Sequence, residues 1–220
     1  MKKLLLILTT LFIFSLPIAA QIPDFQTVKT EKGMMILNNG KVQPFSFLVA
    51  GSNPNGEQND DGSLFIKTDS GGLYVHFIKT KDFLGTKNLT DELEILKAQR
   101  DWDVANEEKG WKTKLNVDVN SNTFIKVFNL QNNLFPTKLI SSVYWSFPAP
   151  NPENPNRSLY QTVLLSDVVL MIRTNFDKSV KIEEVRAFFK ETLESITLLP
   201  PQKQPVTPKK KPLKSKIKKK

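Results

Sequence analysis

Two hydrophobic periods alternate along the chain. In Leu73–Ile78 the residues Leu73, Val75 and Phe77 fall on one face and Tyr74, His76 and Ile78 on the other, the two-residue period of a strand. With Leu64-Phe65-Ile66 and the intervening Thr68-Asp-Ser-Gly-Gly72, this spacing predicts a hairpin. The same reading predicts a strand pair over Asp24–Leu37, turning at Glu31-Lys32-Gly33, and a further strand within Val42–Ala50. A polar loop, Gly51–Gly62, follows. Two more strands are expected at Lys112–Val119 and Thr123–Leu130, joined by Asn120-Ser-Asn122. Others are expected at Leu139–Phe147, Leu159–Leu165 and Val168–Asn175. Val169–Ile172 is apolar throughout, as in a strand covered on both faces. Pro148–Asn156 is too rich in proline to enter a ladder, because proline lacks the N–H donor.

The second period is helical. Ile182, Val185, Phe189, Leu193 and Ile196 form one stripe, opposed by Lys181, Glu183, Glu184, Arg186, Lys190, Glu191 and Glu194. This helix is expected to lay its stripe on the sheet and to stop at Pro200-Pro201. A second helix is predicted from an N-cap at Thr90 to about Asn106, with Gly110 closing it. Its stripe begins at Leu93, Ile95 and Leu96 and weakens around Arg100 and Asp101. Strands, a helix, a run of antiparallel strands and a final helix make an α+β plan.

The C-terminal order of elements resembles the PsbP-like family. It rests on the aromatic strand Val143-Tyr-Trp-Ser-Phe147, a polar loop, two apolar strands ending in Val168-Val-Leu-Met-Ile-Arg173, and a helix ending Leu193-Glu-Ser-Ile196. The likeness covers roughly residues 87–198. The family's opening, a Gly-Phe strand leading to a Pro-x-x-Trp segment, is missing. The resemblance implies an αβ sandwich, an antiparallel sheet packed by an internal helix and a C-terminal amphipathic helix. It implies use as a binding or assembly scaffold and carries over no catalytic residue.

The first twenty residues change the compartment. Lys2 and Lys3 precede a 13-residue apolar run, Leu4–Leu16, and the small pair Ala19-Ala20. That is the order of a cleavable secretory signal, bacterial in style, and the run is too short to span a bilayer. Cleavage after Ala20 leaves one domain over residues 21–199, periplasmic or secreted, with no transmembrane span. The chain has no cysteine, which excludes disulfides, thiolate metal sites and cysteine nucleophiles. The formal charge of +9 is local. Residues 201–220 hold nine lysines and no acid, so residues 21–200 carry 20 basic against 22 acidic residues. A globally basic nucleic-acid-binding domain is therefore disfavoured.

The remaining chemistry is sparse. His76 is the only histidine, so any Ser-His-Asp triad must use it, and no Gly-x-Ser-x-Gly elbow exists. A histidine-rich zinc site is excluded by one histidine and no cysteine. Glu57–Gly62 has the alternating oxygens of a calcium loop, but Thr68 stands where the closing glutamate belongs. Asn88-Leu-Thr90 and Asn156-Arg-Ser158 are glycosylation sequons only in a eukaryotic host. Carboxylate pairs occur at Asp60-Asp61, Asp101/Asp103, Glu107-Glu108 and Glu183-Glu184. Paired acids serve glycoside hydrolysis when a cleft separates them by several ångströms. Trp102, Trp111, Trp145, Tyr144 and Tyr160 are aromatics for either a cleft or the core. No cofactor or metal is implied.

The tail has a distinct physical consequence. Lys209, Lys210, Lys211, Lys214, Lys216, Lys218, Lys219 and Lys220, interrupted by prolines, read as an extended cationic arm for electrostatic attachment to an anionic lipid or polysaccharide. Solvation alone is the competing reading. The sequence therefore favours an exported, non-enzymatic binding or assembly domain with an unknown protein or envelope partner. The alternative is a cell-envelope hydrolase acting through paired carboxylates.

Overall fold

Strand pairing dominates the fold. A computed structural model describes residues 25–39, 43–59, 63–69, 71–131, 136–151 and 153–200. The export segment and the lysine tail lie outside them. The strands are β1 (Phe25–Thr30), β2 (Gly33–Asn38), β3 (Phe45–Ala50), β4 (Asn55–Gln58), β5 (Leu64–Thr68) and β6 (Gly71–Lys79). They continue as β7 (Asp118–Asn129), β8 (Thr137–Pro148), β9 (Asn156–Leu165), β10 (Val168–Asp177) and β11 (Thr197–Leu198). The helices are α1 (Thr80–Leu84), α2 (Glu92–Trp111) and α3 (Ile182–Glu194). All eleven strands join one sheet, in the order β1-β2-β3-β11-β7-β8-β9-β10-β6-β5-β4.

This corrects the α+β sandwich expectation. Strand outweighs helix about two to one, and the sheet curls into a nearly closed barrel-like form. Its two ends approach each other. A Cβ on Gly56 of β4 would meet the Met34 sulfur of β2 at 2.8 Å, and the Phe25 ring of β1 lies 5.5 Å from that of Phe77 on β6. Phe45 of β3 also meets Phe77, at 6.0 Å. Curling lets apolar residues from opposite parts of one sheet bury each other, as a flat layer does not.

The inner face carries the larger core. Ile36, Phe47, Ile66, Val75, Ile140, Leu159 and Ile172 are all inaccessible or nearly so, and α3 adds Phe189 and Leu193, with Ile196 just beyond its end. The helix stripe read from the sequence is therefore the part of α3 that faces the sheet. The outer face of β6 and β8–β10 carries a second core, Val143, Trp145, Phe147, Tyr160, Val169 and Met171, beneath Ile95 and Leu96 of α2. The buried run Val169–Ile172 belongs to β10, between β9 and β6, and is covered on both faces.

Several local readings are revised. Asp91, not Thr90, caps α2: its carboxylate accepts the Glu94 N–H at 3.0 Å. The helix passes through Gly110 to Trp111 and ends at Lys112 in the left-handed conformation. Residues 118–129 form one strand rather than the end of one and the start of another. Its pairing with β8 shifts between Ser121 and Thr123, so a bulge absorbs the polar triplet. The polar loop after Ala50 contains β4. The Glu31-Lys32 turn stands as read: Gly33 has φ +146, and a Cβ there would run into the Val49 carbonyl oxygen.

Candidate functional site

On the inner face a groove lies between α3 and the sheet. Ile125 of β7, Tyr144 of β8 and Gln161 of β9 form its floor, and Glu183, Arg186, Ala187 and Lys190 of α3 form its wall. Those four positions are three or four residues apart and so share one helix face. The cavity holds ≈ 470 Å³ and is open to solvent, with Thr123 and Phe124 at the rim.

The Arg186 guanidinium lies 4.2 Å over the Tyr144 ring, which orients the cation without neutralising it. Among the described residues, no ion pair engages Arg186 or Glu183, and Lys190 reaches Glu194 only at 3.8 Å. The Gln161 amide is fixed by donating to Ser142 Oγ at 2.9 Å. The groove thus offers two cations and one acid above an apolar and aromatic floor.

A second constellation lies beneath α2 on the outer face. Gln99, Asp103 and Glu107 recur every four residues and point a polar stripe at the sheet. Glu107 Oε1 accepts from the Tyr160 hydroxyl at 3.1 Å and from Arg173 Nη1 at 3.2 Å. Its Oε2 accepts from Trp111 Nε1 at 3.1 Å. Arg173 stacks 4.8 Å over Tyr74, while Trp145 and Phe147 stack on Tyr160 at 5.1 and 5.4 Å.

This environment displaces protonation. Burial, followed by repulsion from Glu107, raises the Asp103 carboxyl to about 7 against the pull of Arg173. Asp103 Oδ2 is inaccessible and has no hydrogen-bond partner, although other atoms of the residue reach solvent. Burial and the Glu107 charge also raise the Tyr160 phenol. Burial opposes the charge on Arg173, but Tyr160, Glu107 and Asp103 outweigh it and its pKa rises. None of the grooves described is lined by Asp103 or Glu107.

The other sequence candidates disperse. His76 is half-buried on the outer face of β6, in register with Met171. Asp101 is spent on Arg100 at 2.7 Å, at the surface. Glu108 pairs with Lys114 at 2.6 Å and accepts the Leu115 N–H at 3.1 Å, and these bonds lower its pKa. Glu184 is exposed on α3. Asp60, Asp61 and Gly62 of the calcium-like loop, and all tail lysines, lie outside the described residues. No cluster of potential metal ligands occurs among the described residues. Of the aromatics, Tyr144 serves the groove, Trp111 and Tyr160 converge on Glu107, Trp145 is core, and Trp102 meets Phe83 at 6.5 Å.

Sequence reasoning missed Gln161 and the pairing of Asp103 with Glu107. The second was available from the i, i+4 rule, once α2 was carried through to Trp111. No family model matches this chain, and no curated protein matches it. No described helix is long and apolar enough to cross a membrane.

Proposed function

We propose that the protein is an exported, non-enzymatic binding domain that takes an amphiphilic anion in the groove beneath α3, with its lysine tail attaching it to an anionic surface. The observation that carries this reading is Arg186, held over Tyr144 with no carboxylate partner among the described residues, at the wall of an open cavity whose lining is part apolar and part polar. A carboxylate or phosphate ester bearing an apolar body satisfies both halves of that lining. The export signal read in residues 1–20 supports the exported part of that reading.

The test is calorimetric titration with dodecanoate and with dodecanol. Dodecanoate is expected to bind, dodecanol at least tenfold more weakly, and Arg186→Ala to remove the difference. Equal affinity of the unaltered protein for both compounds would sink the anion-binding reading.

One observation favours a second reading, an envelope hydrolase: Asp103 is a carboxyl that stays protonated up to about 7 beside a second acid. Against it, Glu107 is occupied by three donors and Asp103 Oδ2 is closed off. Release of reducing ends from a cell-wall polymer, abolished in both Asp103→Asn and Glu107→Gln, would establish the hydrolase. Equal release by all three proteins would remove it.

A further inference from the structure

The end of the β7–β8 hairpin is apolar, and no described residue covers it. On the outer face, beyond the N-terminus of α2, Phe124, Phe128 and Leu130 of the β7 arm and Leu139 of β8 are 65, 53, 54 and 65% exposed. The strand register brings them together: Phe128 is opposite Thr137, Lys126 opposite Leu139, and Phe124 opposite Ser141. Lys126 therefore sits between the two phenylalanines on the same face. Lys138 borders the patch, 3.8 Å from Glu92. Scattered apolar residues need no explanation, but four large ones clustered at a hairpin end do.

The route of the chain supplies the second half. β11 runs parallel to β7, with Thr197 beside Phe128 and Leu198 beside Asn129. The Leu130 N–H donates to the Leu198 carbonyl at 3.0 Å, and Gln131 Nε2 donates to the Leu199 carbonyl at 2.7 Å. The chain thus leaves the sheet directly beside the patch. The next twenty residues hold nine lysines and no acid. Apolar insertion and a polybasic segment are the two weak signals that together give firm binding at a membrane surface.

We infer that this hairpin end is a docking surface for an anionic lipid bilayer, with Phe124, Phe128, Leu130 and Leu139 entering the headgroup–acyl boundary while the adjoining tail lysines hold the anionic headgroups. The inference rests on the tail reading above and adds the apolar contact that a free cationic arm lacks. It also separates lipid from polysaccharide, since a polysaccharide offers the patch no apolar layer.

The experiment is sedimentation of the purified protein with vesicles of phosphatidylcholine containing phosphatidylglycerol, and with phosphatidylcholine alone, at low and high salt. Two variants accompany it: Phe128→Ser/Leu130→Ser/Leu139→Ser, whose sites are exposed and whose fold is checked by circular dichroism, and a full chain with glutamine at all nine tail lysines. The unaltered protein is expected to bind only the anionic vesicles. The serine variant is expected to lose at least tenfold while keeping the salt dependence, and the glutamine variant to lose most of that dependence. A separate Phe128→Trp variant is expected to shift its emission to the blue on anionic vesicles alone.

Unchanged vesicle binding by the serine variant overturns the docking surface and leaves the tail reading intact. Unchanged binding and salt dependence in the glutamine variant overturns the tail reading. No binding of the unaltered protein at low salt overturns both. A dimer that the serine substitutions convert to monomer, with vesicle binding unaltered, makes the patch a contact between copies and overturns the lipid assignment.

Discussion

The two faces of the sheet are covered by helices of opposite character, α2 over β8 and β9 outside and α3 over β3 and β7 inside. On the inner face, α3 presses Phe189 and Leu193, both inaccessible, into an apolar core. On the outer face, α2 contributes Ile95 and Leu96 near its start and then offers Gln99, Asp103 and Glu107. The first interface is held by area removed from water, which is undirected and insensitive to pH. The second is held by a few directed bonds whose strength depends on the protonation of its members. A helix can thus cover a sheet without a continuous apolar stripe, provided that the sheet supplies a matching cation and phenol.

The difference can be broken in order of size. Leu193→Ala on α3 should cost about 3–4 kcal/mol in denaturant unfolding, because nothing nearby can collapse into the space. A loss below about 1 kcal/mol would mean that α3 is not integral to the inner core. On the outer face, Arg173→Met should cost about 2 kcal/mol, since Glu107 and Asp103 lose their cation in a partly buried site. The loss should be smaller in the Asp103→Asn background, and a double-mutant cycle reads that coupling.

Asp103→Asn gives the sharpest contrast, because its effect changes with pH. The folded protein holds the Asp103 proton up to about 7 and the unfolded chain releases it near 4. Between those values the folded state binds more protons, so the parent protein loses stability as pH rises, and the loss is complete above 7. Asp103→Asn removes that loss. It should be near neutral at pH 4 and about 2 kcal/mol more stable than the parent at pH 8, roughly half of what the full shift gives, because the residue is not wholly buried. A stability difference that does not vary with pH would show that Oδ2 is solvated in solution. The smallest change expected is Trp111→Phe, about 0.5–1 kcal/mol, from loss of the indole bond to Glu107 at an exposed position. On the inner face, Phe189→Leu should show no pH dependence.

The two interfaces also differ in how far the sequence disclosed them. The α3 stripe is legible because five apolar residues repeat at helical spacing. The end of α2 is not, because Asp103 and Glu107 face inward and periodicity treats every acid as outward. Asp101/Asp103 and Glu107-Glu108 pair as chain neighbours, whereas the fold pairs Asp103 with Glu107 and sends Asp101 and Glu108 to other partners. Strand positions were readable wherever apolar residues alternate. β4 escaped because Asn55-Gly-Glu-Gln58 is a polar edge strand, and β7 was divided because Asn120-Ser-Asn122 has the composition of a turn. The curl of the sheet has no local signature, since it depends on contacts such as Phe25 with Phe77 that join β1 to β6. Tyr144 and Arg186 were visible singly, and only that curvature, with α3 inside it, brings them together over the groove.

The two residues of β11 have a consequence in time. They alone join β3 to β7, pairing antiparallel with one and parallel with the other, and so connect the N-terminal hairpin to the rest of the sheet. Residues 25–50 are synthesised early, yet their link to β7 waits for positions 197–198. Such distant pairing makes closure slow, because a long loop must be ordered before the contact rewards it. The sheet therefore becomes continuous only when residues 197–198 are in place.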